Sequence, residues 1–164
     1  MRRLSMVGKS RRAASTLALA LGLAGLAAGC ASSPAPPPQM GFVVQSDPKT
    51  NAGLPFYLVI RSISDKQFLT DTYQAMAALV CADPPDATVL LAKAILPGKE
   101  QEISVDKPTR GSLGLYFLFS ESSGQWKRML SQPLSNNGYK ITLSKNRIDV
   151  VAKKSFLRRM LWPF

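Results

Sequence analysis

Few residues of this chain are spaced for chemistry, and each set fails a physical requirement. Gly8-Lys9-Ser10 has the end of a phosphate-binding loop, but that loop needs a glycine where Arg3 stands. Ser46 and Lys49 have the Ser-x-x-Lys spacing of penicillin-recognising hydrolases, which use it at a helix start with further motifs. Here Pro48 lies between them, and "SDPKTNAGLP" (46 to 55) reads as a loop punctuated by Pro, Asn and Gly. Glu100 and Glu102 share one face of an expected strand, where without a pocket they form a solvated edge. The chain has no histidine, which removes Ser-His-Asp and Cys-His catalysis and His-ligated metal sites. No catalytic residue, no metal and no small-molecule substrate is expected.

The two cysteines differ in context. Cys30 ends the run "LAAGC" and is followed by "ASSPAPPPQ". Ahead of it come Arg2, Arg3, Lys9, Arg11 and Arg12 with no acid, then the apolar stretch "AASTLALALGLAGLAA" (13 to 28). That is the layout of a secretory signal over residues 1–29, and the apolar run is short of the ~20 residues that a membrane span needs. Leu26-Ala27-Ala28-Gly29-Cys30 resembles the lipobox of bacterial lipoprotein signals, with the Leu one place early. The resemblance implies cleavage before Cys30 and acyl chains on that residue, the one covalent group expected in place of a cofactor. By the sorting habit of the lipoproteins it resembles, Ala31 rather than Asp after the cysteine implies the outer membrane. The alternative is an ordinary secreted protein cut near Ala28 with a free thiol at Cys30. "SRRAAS" (10 to 15) also resembles a twin-arginine signal, with Ala14 in place of a large apolar residue. Residues 30–40 then read as a Pro-rich tether, at about 3.1 Å per residue. Cys81 lacks an intramolecular partner and, next to "MAALV", is expected to be buried.

Charge is distributed unevenly. The net +11 includes five cations in the signal and four more, Lys153, Lys154, Arg158 and Arg159, in the last dozen residues. Residues 41–152 hold 12 Lys and Arg against 10 Asp and Glu, so the domain itself is nearly neutral and nucleic-acid binding loses its electrostatic basis.

The remaining ~135 residues suit one domain. "GFVVQ" (41 to 45) and "FYLVIRSI" (56 to 63) read as strands. "SDKQFLTDTYQAMAALV" (64 to 80) changes to a helical period. Ser64 or Asp65 can cap its start, Thr70 or Asp71 a second start, and Phe68, Met76, Leu79 and Val80 can share a face. "CADPPDA" (81 to 87) is a loop. Strands follow over 88 to 96 (one or two pieces), 100 to 105, 112 to 121 and 125 to 132, then a hairpin of 139 to 144 and 147 to 152 around Lys145-Asn146. Seven to eight short strands with turn signals between them predict a mainly β sandwich over 41–152, with a helical insertion. Trp126 is expected in its core.

Several stretches taken in order, "NAGLPFYLVIRSIS", "FLTDTY", "ILPGKE", "GLYFLF" and "QWKRML", resemble the TssJ family, the outer-membrane lipoproteins of type VI secretion. Thr72-Tyr73 stands where the family often has paired Phe, Lys127 separates Trp126 from Arg128, and the basic tail has no family counterpart, so the chain would be a divergent member. The resemblance implies a transthyretin-like β-sandwich anchored at the periplasmic face of the outer membrane. It also implies a non-enzymatic partner role, docking the periplasmic domain of an IcmF-like (TssM) inner-membrane protein. By position, the family's contact loop is Ser46 to Gly53, with Asp47, Lys49, Thr50 and Asn51 as contact residues. A sandwich lipoprotein that binds a ligand or maintains the envelope is the alternative.

The tail "KKSFLRRMLWPF" (153 to 164) is basic and amphipathic. On a helix Phe156, Leu157, Met160 and Leu161 share a side while the four cations point away. That pattern suits an anionic membrane surface, a groove on a partner, or packing on the sandwich itself.

Overall fold

A computed structural model describes residues 35–120, 124–145 and 147–154. The expected signal, Cys30, the tether up to residue 34 and the tail from residue 155 onward lie outside these residues.

Eight strands form two four-stranded sheets. The first sheet has the order β4 (Glu100–Asp106), β1 (Gln39–Ser46), β7 (Tyr139–Ser144), β8 (Arg147–Ala152). The second has β3 (Val89–Ile95), β2 (Phe56–Ile63), β5 (Ser112–Leu118), β6 (Lys127–Leu130). All neighbours are antiparallel except β1 and β7, which run parallel with Phe42 opposite Tyr139. The first sheet alternates in sequence as a half-exposed sheet should: Ile141 and Leu143 point inward, Lys140 and Thr142 outward. Between the sheets Met40, Phe42, Val44, Ile141 and Leu143 meet Leu58, Ile60, Leu113, Leu115 and Phe117 in one buried core.

The strands β2 and β5 are apolar on both faces because the second sheet is covered twice. Its outer face packs under two short helices inserted between β2 and β3, α1 (Asp65–Thr70) and α2 (Tyr73–Val80). There Val59, Ile63, Tyr116 and Met76 form a second cluster, joined by Phe68, Leu79, Val80 and Trp126. The helical face read from the sequence is thus used, but by two helices. Ser64 caps α1 in a capping box with Gln67 (3.3 Å to the Gln67 N–H, 2.9 Å back to the Ser64 N–H). The second start is Thr72, not Thr70 or Asp71: its hydroxyl accepts from Ala75 N at 3.3 Å. Asp71 and Thr72 are both extended, which breaks the helix between them.

The strand at 88 to 96 is one piece, and the strands expected over 112 to 121 and 125 to 132 are shorter than their apolar runs. Trp126 is half-buried in the second cluster, within 5.9 Å of the Tyr116 ring, rather than in the core between the sheets. Glu100 and Glu102 are exposed on the edge strand β4.

The parallel pairing of β1 with β7 depends on a glycine at position 138. At Gly138 φ is +76°, and a Cβ there would lie 2.1 Å from the Gly41 carbonyl oxygen. Gly138→Ala is therefore expected to cost at least ~2 kcal/mol in urea unfolding, through both the backbone strain and the clash.

Candidate functional site

Two ends of the sandwich can be told apart by what they carry. One end holds the β1–β2 connection, the β3–β4 turn, the segment after β5 and the end of β7. The Asp47 N–H donates to Leu143 O at 2.8 Å, Gly98 N–H to Ser46 O at 3.1 Å, and Ser120 N–H to the Asn51 side-chain oxygen at 2.7 Å. The other end holds the entry of β1 and the exit of β8: Lys107 N–H donates to Pro38 O at 2.7 Å, and Lys153 N–H to Gly138 O at 2.9 Å.

The loop Ser46 to Gly53 is built from local hydrogen bonds. Asp47 accepts from the Lys49 N–H at 2.7 Å, an Asx turn that also brings Thr50 N–H onto Asp47 O at 2.9 Å. Asn51, Ala52 and Gly53 are all left-handed (φ 52°, 54° and 80°). Asn tolerates that region because its side chain can satisfy nearby backbone. Here the Asn51 amide donates to Leu54 O at 2.9 Å, Pro55 O at 3.1 Å and the Ser120 hydroxyl at 3.3 Å. Pro48 lies over Gly98, where an added Cβ would meet it at 3.2 Å.

The four residues expected to contact a partner therefore divide. Asp47 and Lys49 are exposed at the tip. Thr50 is fully buried, and its hydroxyl donates to Leu143 O at 3.3 Å. Asn51 spends its amide on bracing the loop. Sequence reading missed Ser120, the distant partner of that amide, because no local signal marks it. It also missed the apolar rim: Leu54 is 54 % exposed, Leu96 45 % and Tyr57 44 %. Leu54 and Leu96 lie at the same end because Phe56 pairs with Ile95.

The outer face of the second sheet carries a different arrangement. Arg61 is 7 % exposed, and its guanidinium meets both Asp71 oxygens at 3.2 Å. It also donates to the Thr88 hydroxyl at 2.9 Å and faces the Met76 sulfur at 3.4 Å. The Tyr116 hydroxyl donates to the same Asp71. Lys127 donates to the carbonyls of Phe68 (2.7 Å) and Asp71 (2.9 Å), satisfying the end of α1, and sits 4.9 Å from the Phe68 ring centre. These groups pair with one another across the outer face of the second sheet. Burial first, then the bond to Asp71, holds the Tyr116 hydroxyl above its ordinary pKa near 10.0. Bonds from the Thr88 hydroxyl and N–H hold the Asp86 carboxyl below its ordinary value.

Cys81 is exposed, against expectation. It caps the C-terminus of α2, one residue past the Leu79 and Val80 pair that packs on the sheet, and the neighbouring Ala77 and Ala78 are exposed too. A run of small apolar residues at a helix end does not require burial. Among the described residues no three His, Cys, Asp or Glu side chains come together to hold a metal, and no helix is long and apolar enough to cross a membrane.

This two-sheet sandwich with a helical insertion is the fold of the type VI secretion lipoproteins. TssJ1 from Pseudomonas aeruginosa superposes with a TM-score of 0.57 at 20 % identity, over 73 % of this chain and 99 % of that one. Serratia marcescens Lip, a membrane-bound component of the type VI secretion system, gives 0.56 at 14 %, over 72 % and 100 %. A chain from a type VI membrane complex gives 0.56 at 15 %, over 71 % and 99 %. Residues 57–143 match the family model of the IglE N-terminal domain, and the chain belongs to that family as a divergent TssJ-like member. No curated protein matches it. The matched proteins are secretion lipoproteins and not members of enzyme families. The family match begins at Tyr57, so the loop Ser46 to Gly53 lies outside it.

Two outcomes test this geometry. Asn51→Ala removes the brace and is expected to cost ~1–2 kcal/mol in urea unfolding, with faster hydrogen exchange at the Ser120 amide. The raised Tyr116 pKa means that the folded state holds this proton more tightly than the unfolded chain. Its contribution is fully present below pH 10 and is lost as pH rises above that, at up to about 1.4 kcal/mol per pH unit. Tyr116→Phe is expected to flatten that alkaline slope in unfolding curves taken at several pH values.

Proposed function

We propose that the chain is an outer-membrane lipoprotein, acylated on Cys30, that works as a non-enzymatic assembly part of the type VI secretion membrane complex. Its partner is the periplasmic domain of an IcmF-like (TssM) inner-membrane protein. The loop Ser46 to Gly53 makes the contact through Asp47 and Lys49, while Thr50 and Asn51 hold the loop in shape. The observation that carries this reading is the position of a braced, solvent-facing loop at the end of the sandwich opposite the entry of β1 from Pro38. A domain held by a tether before Pro38 can present that end to a partner.

The reading has further physical support. A pre-organised loop loses little conformational entropy on binding, and exposed charges beside an apolar rim (Leu54, Leu96) match the common anatomy of an interface. Tethering near the partner raises its effective concentration.

Co-purification with the periplasmic domain of the IcmF-like protein tests the contact. The double variant Asp47→Asn with Lys49→Glu, which keeps a side-chain oxygen to accept from the residue 49 N–H, is expected to weaken the complex at least ~10-fold with an unchanged melting temperature. Unchanged affinity, or no complex with the unaltered protein, removes the docking role. Mass analysis of the processed protein is expected to find acyl chains on an N-terminal Cys30. A bare thiol removes the anchor.

A further inference from the structure

The four edges of the two sheets differ in how they are closed. β6 is only four residues long, and Arg128 on it donates to the Ile148 carbonyl of β8 at 3.1 and 3.3 Å, so these two edges tie to each other. β3 carries Lys93 opposite Leu58, on the side that faces the core, where a charge opposes the addition of a further strand. β4 has neither device. Its seven residues pair with β1 without a shift, from Gln39 opposite Asp106 to Gln45 opposite Glu100. No strand lies on its other side, and among the described residues no hydrogen bond from a loop or side chain reaches its backbone there.

The side chains of β4 alternate. Ile103 and Val105 are buried, Glu100, Glu102, Ser104 and Asp106 are exposed, and the strand has no cation. Gln45 bonds Glu100 and Gln39 bonds Asp106, while Glu102, opposite Val43, has no hydrogen-bond partner among the described residues. Gln101 lies on the inner side opposite Val44, and its Nε2 is buried without an acceptor among the described residues. An antiparallel pair of two β4 strands centred on Ile103 would set Glu100 against Asp106 at both ends. The charge that opposes self-pairing favours a strand of opposite sign.

We propose that the free edge of β4 takes an added strand from a protein partner. The segment it fits is extended, with Lys or Arg at alternate positions beside Glu100, Glu102 and Asp106 and apolar residues between them beside Ile103 and Val105. Main-chain hydrogen bonds supply the affinity, and the acids select the partner. The carbonyls of such a strand come alongside β4, where the Gln101 amide lacks an acceptor. This contact requires neither the lipid anchor nor the loop Ser46 to Gly53.

Two end-capped peptides of about seven residues, one alternating Lys with Val and one alternating Glu with Val, probe the edge on the mature protein by calorimetry and hydrogen exchange. The Lys peptide is expected to bind at least ~10-fold more tightly than the Glu peptide and to slow exchange of the β4 amides that face away from β1. Glu102→Gln is expected to weaken it about two- to five-fold at an unchanged melting temperature. A Lys peptide N-methylated at every residue keeps its charges but loses every main-chain donor, and is expected not to bind. Equal binding of the two signs, binding of the methylated peptide, or no slowing at β4 overturns the proposal. So does protection of those amides before any peptide is added, because the edge is then already filled by a second copy or by the chain's own terminal residues.

Discussion

The ion pair between Arg61 and Asp71 governs the half of the molecule that the helices cover. A guanidinium on the outer face of a sheet would ordinarily reach water. Here α1 and α2 lie over it, and removing its partner would leave a buried charge at a cost of ~3–5 kcal/mol. Asp71 must therefore sit above Arg61, and its backbone is extended to place it there. That is why one helical sequence becomes two helices. The break frees the carbonyls of Phe68 and Asp71, and Lys127 from β6 satisfies them. One pairing thus fixes the helix boundary, seals the outer face of the second sheet, and allows β2 and β5 to be apolar on both sides.

The loop end works by a different principle. It has little apolar burial to stabilise it, so hydrogen bonds do the ordering. Asn51 alone links the β1–β2 connection to Leu54, Pro55 and Ser120. Three successive left-handed residues would be unfavourable in a free chain, and the bonds that hold them leave Asp47 and Lys49 pointing outward. Binding surfaces are commonly loops on rigid frames, and this loop is tied to its frame by hydrogen bonds to Leu143, Gly98 and Ser120.

The strands and the mainly β sandwich were legible from alternation and from punctuation by Gly and Pro. Phe56–Ile63 is the strand its β-branched and aromatic residues predict, and Tyr139–Ser144 alternates to the residue. The failures share a cause, which is that they depend on contacts distant in sequence. The helix break answers Arg61, ten residues earlier. Thr50 looks like an exposed loop hydroxyl until β7 brings Leu143 O beside it. Cys81 was misread because local apolarity says how a helix can be buried, not which of its ends reaches the sheet. The candidate loop was placed by the resemblance rather than by chemistry: polar residues in a turn are the same whether they bind a partner or only water.

The two ends impose a direction on any assembly role. A single flexible attachment lets a domain sample every orientation, and only a small fraction of these presents a given loop. Each further restraint on the pole where β1 enters and β8 leaves raises that fraction without any new contact at the loop. Placing entry and exit side by side is a consequence of the β1–β7 parallel pair, since it sets the start of β1 against the start of β7 and hence against the end of β8. The close approach of Gly138 to Gly41 is what permits that pair. A small backbone constraint in the core of one sheet thus decides which face of the domain is left for a partner.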